Sequence, residues 1–293
     1  MASVAMIGSG SIGAYVAAHL AASGHDVVAC VRRPFDQYVV ESPISAVTCD
    51  ARCATAPEEL AAPSDWVLVD AKAHQTESIG AWLAAASGPS STAVALENGV
   101  EAVERLSRHV GSATVLPAVV LCDAELIAPG RVQHTARSRL IVPAGQAGDA
   151  FRDLMANTPI RVDPVANYMT KAWLNLSANV LCNGITALTG RPIGGVGEPS
   201  MMPVAVALVA ETWATANAAG ASLDVSDPER FVAAIAAENP LGRTFMRMDA
   251  EAGRNTEHDA IYGAVVRAAD RHGVPVPTIR ALLGLLDDFV PRS

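Results

Sequence analysis

The 293-residue chain lacks the spacings that hold zinc. Its five cysteines, Cys30, Cys49, Cys53, Cys122 and Cys182, form no Cys-x-x-Cys pair and no Cys/His cluster. Scattered and odd in number, they also argue against a disulfide framework. Reduced, mostly buried thiols of a cytoplasmic protein are expected, with no metal. Charge is sparse too: charged residues are 17% of the chain and the net charge is −9, which speaks against general nucleic-acid affinity. With 51% hydrophobic residues the composition is globular rather than disordered. The opening "MASVAMIGSGSIGAYVAAHL" has no basic n-region, since its first basic side chain is His19 and the first arginine is Arg32. Three glycines break its apolar run, and no later run is a clear membrane span. It reads as the first strand and helix of a soluble fold with no membrane partner. Internal repeats and low-complexity linkers are absent, and the length suffices for two domains.

Strands are expected at 3–7, 25–31, 65–71, 92–97 and 113–121, alternating with helical stretches near 75–86 and 100–109. That alternation calls for a parallel sheet covered on both faces. Residues 129–143 read as a terminal hairpin added to the same sheet. After Pro164 the pattern turns helical, with segments near 165–189, 200–219, 227–238, 243–253, 256–272 and 277–289. The expected organisation is an α/β domain over 1–163 and an all-α domain over 164–293.

Gly8-Ser9-Gly10-Ser11-Ile12-Gly13 follows the first strand and opens a helix, the context in which G-x-G-x-x-G binds a dinucleotide. Gly8 serves the turn, Gly10 the approach of a diphosphate, and Gly13 the packing of helix on strand. An acidic residue about 20 positions on usually binds the ribose 2′-OH of NAD. Here Arg32 and Arg33 stand 19 and 20 residues after Gly13. Guanidinium suits a 2′-phosphate, so NADP(H) is the expected cofactor. Two solvated arginines at a strand end are the plainer alternative. Lys72 and Asn98 lie just past expected strand ends, where such sheets place ligands, and these matching positions favour a binding role over that of an ordinary loop residue.

In "TKAWLNLSANVLCNG" (170–184), Lys171, Asn175, Asn179 and Asn183 recur every fourth residue. With 3.6 residues per turn the asparagines drift about 40° per step from Lys171, opposite an apolar arc that includes Trp173, Leu176, Val180 and Leu181. A wet helix face would favour Glu, Lys, Arg or Gln, because Asn is poorer in a helix by roughly 0.6 kcal/mol. The ladder reads instead as the floor of a substrate site.

These motifs, with "AKAHQT", "LENGV", "AWLNLSANVLCNGITALTG" and "MRMDAEAGRNTEHDAIYGAVVRAADRHGVPVPT", resemble the ketopantoate reductase (2-dehydropantoate 2-reductase) family over nearly the full length. The resemblance implies a Rossmann-type NADP-binding domain, a helical domain like the C-terminal one of 6-phosphogluconate dehydrogenase, a substrate cleft between them, and a homodimer. It assigns Glu257 to the cofactor and cleft, and Asn179 and Asn183 to the substrate. Two positions depart from the family. The lysine that protonates the ketone falls at Asn175, and a substrate-binding serine falls at Phe245. Asn is not a useful proton donor. Lys171, one turn earlier, is a candidate acid, although helix side chains lean toward the N-terminus and away from that position; His258 is a weaker one.

The resulting expectation is an NADPH-dependent oxidoreductase acting on a small carbonyl compound such as a 2-oxo acid or ketolactone. Alternatives are an imine reductase, since an iminium arrives already protonated, and a non-catalytic NADP(H)-binding regulatory or structural protein.

Overall fold

The computed structural model describes residues 1–97 and 99–289. They form two compact units, Met1–Tyr168 and Met169–Ser293, whose last four residues are not described.

The first unit contains β1 (Ser3–Ile7), α1 (Ser11–Ala22), β2 (Asp26–Cys30), β3 (Gln37–Glu41), β4 (Val47–Asp50), β5 (Arg52–Ala54), β6 (Trp66–Val69), α2 (Gly80–Ala86), β7 (Thr92–Ala95), α3 (Ala102–Ser107), β8 (Thr114–Pro117), β9 (Val119–Ala128), β10 (Arg131–Pro143), α4 (Gln146–Leu154) and β11 (Arg161–Val165). One sheet has the order β5-β2-β1-β6-β7-β8, every neighbouring pair parallel. Numbered along the chain within this sheet, that is 3-2-1-4-5-6, the doubly wound order of dinucleotide-binding folds.

Alternation along the strands sends side chains to two cores. Val4, Met6, Val27, Ala29, Leu68 and Val94 face one core together with α1 and α4. Ala5, Ile7, Val28, Cys30, Val67, Val69, Ala93 and Ala95 face the other, with Leu83 of α2 and Leu106 of α3. Fully buried Leu68, Leu83 and Leu106 each contribute roughly 1.5–3 kcal/mol of transfer free energy.

The hairpin expected at 129–143 is different in form. Residues 131–143 are one long strand, paired antiparallel with β9, and they belong to a second sheet of order β11-β10-β3-β4. Only the turn lies at 129–130. The expected domain boundary at 163 falls inside β11, and the first unit runs on to Tyr168. Pro164 is accommodated because β11 is an edge strand, where a missing N–H costs little.

The second unit is helical: α5 (Tyr168–Thr189), α6 (Met202–Ala218), α7 (Pro228–Glu238), α8 (Phe245–Glu251), α9 (Ala264–His272) and α10 (Pro277–Phe289). A π-type turn, Asp259–Gly263, leads into α9. Asp227 caps α7 by accepting from the Arg230 N–H at 2.9 Å, and Gly273, at φ +68°, ends α9. The Glu211 carboxylate of α6 accepts from the N–H groups of Thr278 and Ile279, both at 2.9 Å, and so closes the start of α10. No helix among the described residues is long and apolar enough to cross a membrane. No cluster among them could hold a metal ion.

Candidate functional site

Strands β1 and β6 are neighbours at the point where the strand order reverses, the place where doubly wound sheets bind ligands. Their C-terminal ends carry Gly8–Gly13 and Asp70–Lys72. Gly8 takes φ +86°, and a Cβ there would lie 2.3 Å from the Asp70 carbonyl oxygen. Only glycine meets both demands. A Cβ on Gly10 or Gly13 would lie 2.8 or 2.7 Å from Asp70 Oδ2. That same oxygen accepts the Gly13 N–H at 2.6 Å. Gly10 is the N-cap of α1 and offers no side chain, so the Ser11 and Ile12 N–H groups make no hydrogen bond among the described residues. Ser9 Oγ is buried beside them, also without a partner among the described residues. Open N–H groups at a helix start are an anion seat, and the residues present fit a dinucleotide diphosphate.

Arg32 and Arg33 are exposed just past β2. Among the described residues of the first unit, Arg52, Arg105, Arg108, Arg131, Arg137, Arg139, Arg152 and Arg161 each pair with a carboxylate, whereas Arg32 and Arg33 make no ion pair. Lys72 is half-buried, and its N–H donates to Gln75 Oε1 at 3.3 Å as a 3₁₀ turn begins. Asn98 lies outside the described residues. Its neighbour Glu97 is held by Arg105 of α3 at 2.8 Å, with the carboxylate buried.

In the second unit the ladder runs along α5 from outside to inside. Lys171 is exposed, Asn175 and Asn179 are half-buried, and Asn183 is buried at 7% exposure. Trp173, Leu176, Val180 and Leu181 pack inward, while Leu174, which the helical period also sets opposite the ladder, is at the surface. Asn183 Nδ2 donates to the Asn179 carbonyl at 3.0 Å and to Asn179 Oδ1 at 3.1 Å, which fixes its amide.

The adjacent ladder step is bridged by Tyr262. Its hydroxyl donates to the Val180 carbonyl at 2.7 Å and accepts the Gly184 N–H at 2.6 Å. Burial pushes the Tyr262 pKa far up, so this donor keeps its proton. Gly184 makes room: a Cβ there would lie 2.5 Å from the hydroxyl.

Glu257 is half-buried and precedes the π-type turn, its carbonyl accepting the Ile261 N–H at 3.1 Å. His258 lies between Thr256 Oγ1 at 2.7 Å and Asp287 Oδ1 at 3.1 Å. Phe245 opens α8 and is 54% exposed. Thr244 before it caps α8 and bonds Thr186 Oγ1 of α5 at 2.7 Å.

Sequence reasoning missed Asp70 and Tyr262. An acidic residue closing the apolar run "WVLV", beside the glycine loop in a doubly wound sheet, was a usable signal for Asp70. Tyr262 gave none, because the partners of its hydroxyl are backbone groups about 80 residues away.

The family described as "Ketopantoate reductase PanE/ApbA" matches residues 4–146, and "Ketopantoate reductase PanE/ApbA C terminal" matches residues 167–289. The chain is 38% identical to a 2-dehydropantoate 2-reductase of Caulobacter vibrioides over 98% of this chain and 99% of that one. It is 32% identical to one of Mycobacterium tuberculosis, covering 97% and 96%. A PanE/ApbA family ketopantoate reductase from Ralstonia eutropha JMP134 superposes with a TM-score of 0.88 at 26% identity, covering 98% and 97%. With a doubly wound sheet, a glycine loop at its switch point and a helical second unit, the chain belongs to the ketopantoate reductase family of NADP-dependent oxidoreductases.

Proposed function

We propose that the chain uses NADPH to reduce a small carbonyl compound, a 2-oxo acid, a ketolactone or a close analogue. The glycine loop, Ser9 included, holds the diphosphate through the Ser11 and Ile12 N–H groups, and Arg32 takes the 2′-phosphate. Lys72 and Asn98 extend this set. Bound NADPH supplies the hydride. The protein orients the carbonyl and delivers a proton to the resulting alkoxide.

The observation that carries the substrate assignment is the ladder of Asn175, Asn179 and Asn183, whose burial deepens along α5. Short, neutral amides both donate to and accept from a polar substrate without imposing charge. Exposed Phe245 supplies an apolar contact where the family's serine would offer a hydroxyl. NADPH oxidation against a panel of 2-oxo acids, ketolactones and cyclic imines tests the reading. Turnover of a carbonyl compound is expected, with KM raised about tenfold or more in Asn183→Ala and the NADPH Kd unchanged. Tight NADPH binding without turnover of any panel member would instead make the chain a cofactor-binding protein.

A second reading rests on Asn175. With no acid at that position, an iminium, which arrives protonated, is reduced without one, and turnover confined to the imines would select it. Homodimeric assembly in the cytoplasm belongs to the same proposal.

A further inference from the structure

Asp70 places a carboxylate in the loop that receives an anion. Its Oδ2 accepts the Gly13 N–H at 2.6 Å and lies against Gly10, 2.8 Å from where a Cβ would be. Gly10 is the residue whose bare backbone admits the diphosphate, and the open Ser11 and Ile12 N–H groups lie within the same helical turn, about 5 Å long. Any diphosphate seated on these groups therefore has a carboxylate oxygen as a close neighbour. Asp70 fills two roles of opposite sign. Its hydrogen bond fixes the first turn of α1, and its charge opposes the ligand that this turn binds.

We propose that Asp70 is a cofactor-exchange residue. It shapes the glycine loop while its negative charge weakens the hold on the diphosphate, so that spent cofactor leaves quickly. This rests on the reading that the glycine loop seats the diphosphate. Asp70 differs in kind from Arg32: the diphosphate is common to NADH and NADPH, whereas Arg32 meets only the 2′-phosphate.

The test is Asp70→Asn, which keeps an acceptor for the Gly13 N–H and removes the charge. Titration with NADPH and with NADH, and stopped-flow release of NADP⁺, are measured at two ionic strengths. Two like charges about 5 Å apart repel by a factor of about four in bulk water and of more than about a hundred near a protein surface, and the half-buried Asp70 lies between these limits, at roughly tenfold. Both cofactors should therefore bind about tenfold more tightly, with their affinity ratio unchanged, NADP⁺ release slowed to match, and the gain reduced at high salt. A merely structural Asp70 would give equal or weaker binding in Asp70→Asn, and either result overturns the proposal. A gain for NADPH alone also overturns it, since the charge would then act at the 2′-phosphate. Gly10→Val reports on the underlying reading: if it leaves NADPH affinity intact, the diphosphate sits elsewhere. If Gly10→Val abolishes binding while Asp70→Asn changes nothing, the reading stands and the role given to Asp70 fails.

Discussion

The glycine loop and the asparagine ladder, in the roles proposed for them, would recognise ligands by different means. At the loop, the backbone is the instrument: bare glycines, a positive φ and unpaired N–H groups leave room for an anion and little else. Along α5, side chains are the instrument, and the helix would fold with many other residues at 175, 179 and 183. A backbone site tolerates few sequences and so announces its ligand class. A side-chain site can change its chemistry by one substitution without disturbing the fold. We propose that Asn175, which the resemblance sets at the family's lysine position, is such a change.

The largest effect should come from reversing it. Asn175→Lys restores an acid at that ladder position, and positioned acid catalysis is worth about 10²–10⁴-fold. The variant should gain 2-oxo acid reductase activity by that order, measured as kcat/KM, and Asn175→Lys with Phe245→Ser should gain more. A double variant that folds and binds NADPH yet reduces no 2-oxo acid would break the assignment of position 175. Lys171→Ala in the native chain sharpens it. A large loss of carbonyl reduction there means that the acid stands one turn earlier, and little loss favours an imine substrate or water as donor.

A smaller effect is expected at the loop. Arg32→Ala should weaken NADPH binding by about tenfold to a hundredfold, the worth of one charge-assisted contact, and leave NADH unchanged. Equal losses for both cofactors in a fluorescence titration would place the 2′-phosphate elsewhere.

The smallest concerns the support beneath the loop. His19, on α1, is buried with no partner for Nε2 among the described residues. Burial, reinforced by His134, lowers its pKa from 6.5 to about 4. The folded value lies below the unfolded one, so the neutral ring's contribution is complete above pH 6.5. It is lost as pH falls toward 4. Between pH 7 and 5 the first unit should lose about 1–2 kcal/mol, read by urea denaturation, and His19→Leu should flatten that slope.

Much of this was legible in the sequence. β1, β2, β6 and β7 announce themselves as apolar runs, and the six helices of the second unit by period and breakers. The short strands β3, β4 and β5 did not, because Gln37–Ala54 mixes Cys, Asp, Ser and Thr in runs of three to five residues and leaves several exposed. The route of residues 131–143 into a second sheet depends on pairing with β3 and β11, contacts distant in sequence that no local pattern encodes. At the site, "GSGSIG" was legible because its meaning is local. Asp70 and Tyr262 act across the fold, and a linear reading gives them only a type and a place.

The Tyr262 bridge also bears on how the second unit assembles. Its phenol completes the Val180–Gly184 step of α5 from 82 and 78 residues further along the chain. A helix normally finishes its own ladder from local contacts, but here one turn waits for a distant segment, with the loop-closure entropy that implies. Helix α5 can nucleate early, yet its Asn179–Gly184 turn reaches its final form only when the π-type turn docks. The geometry of the part of the helix that carries Asn179 and Asn183 is thus a property of the completed unit rather than of the helix.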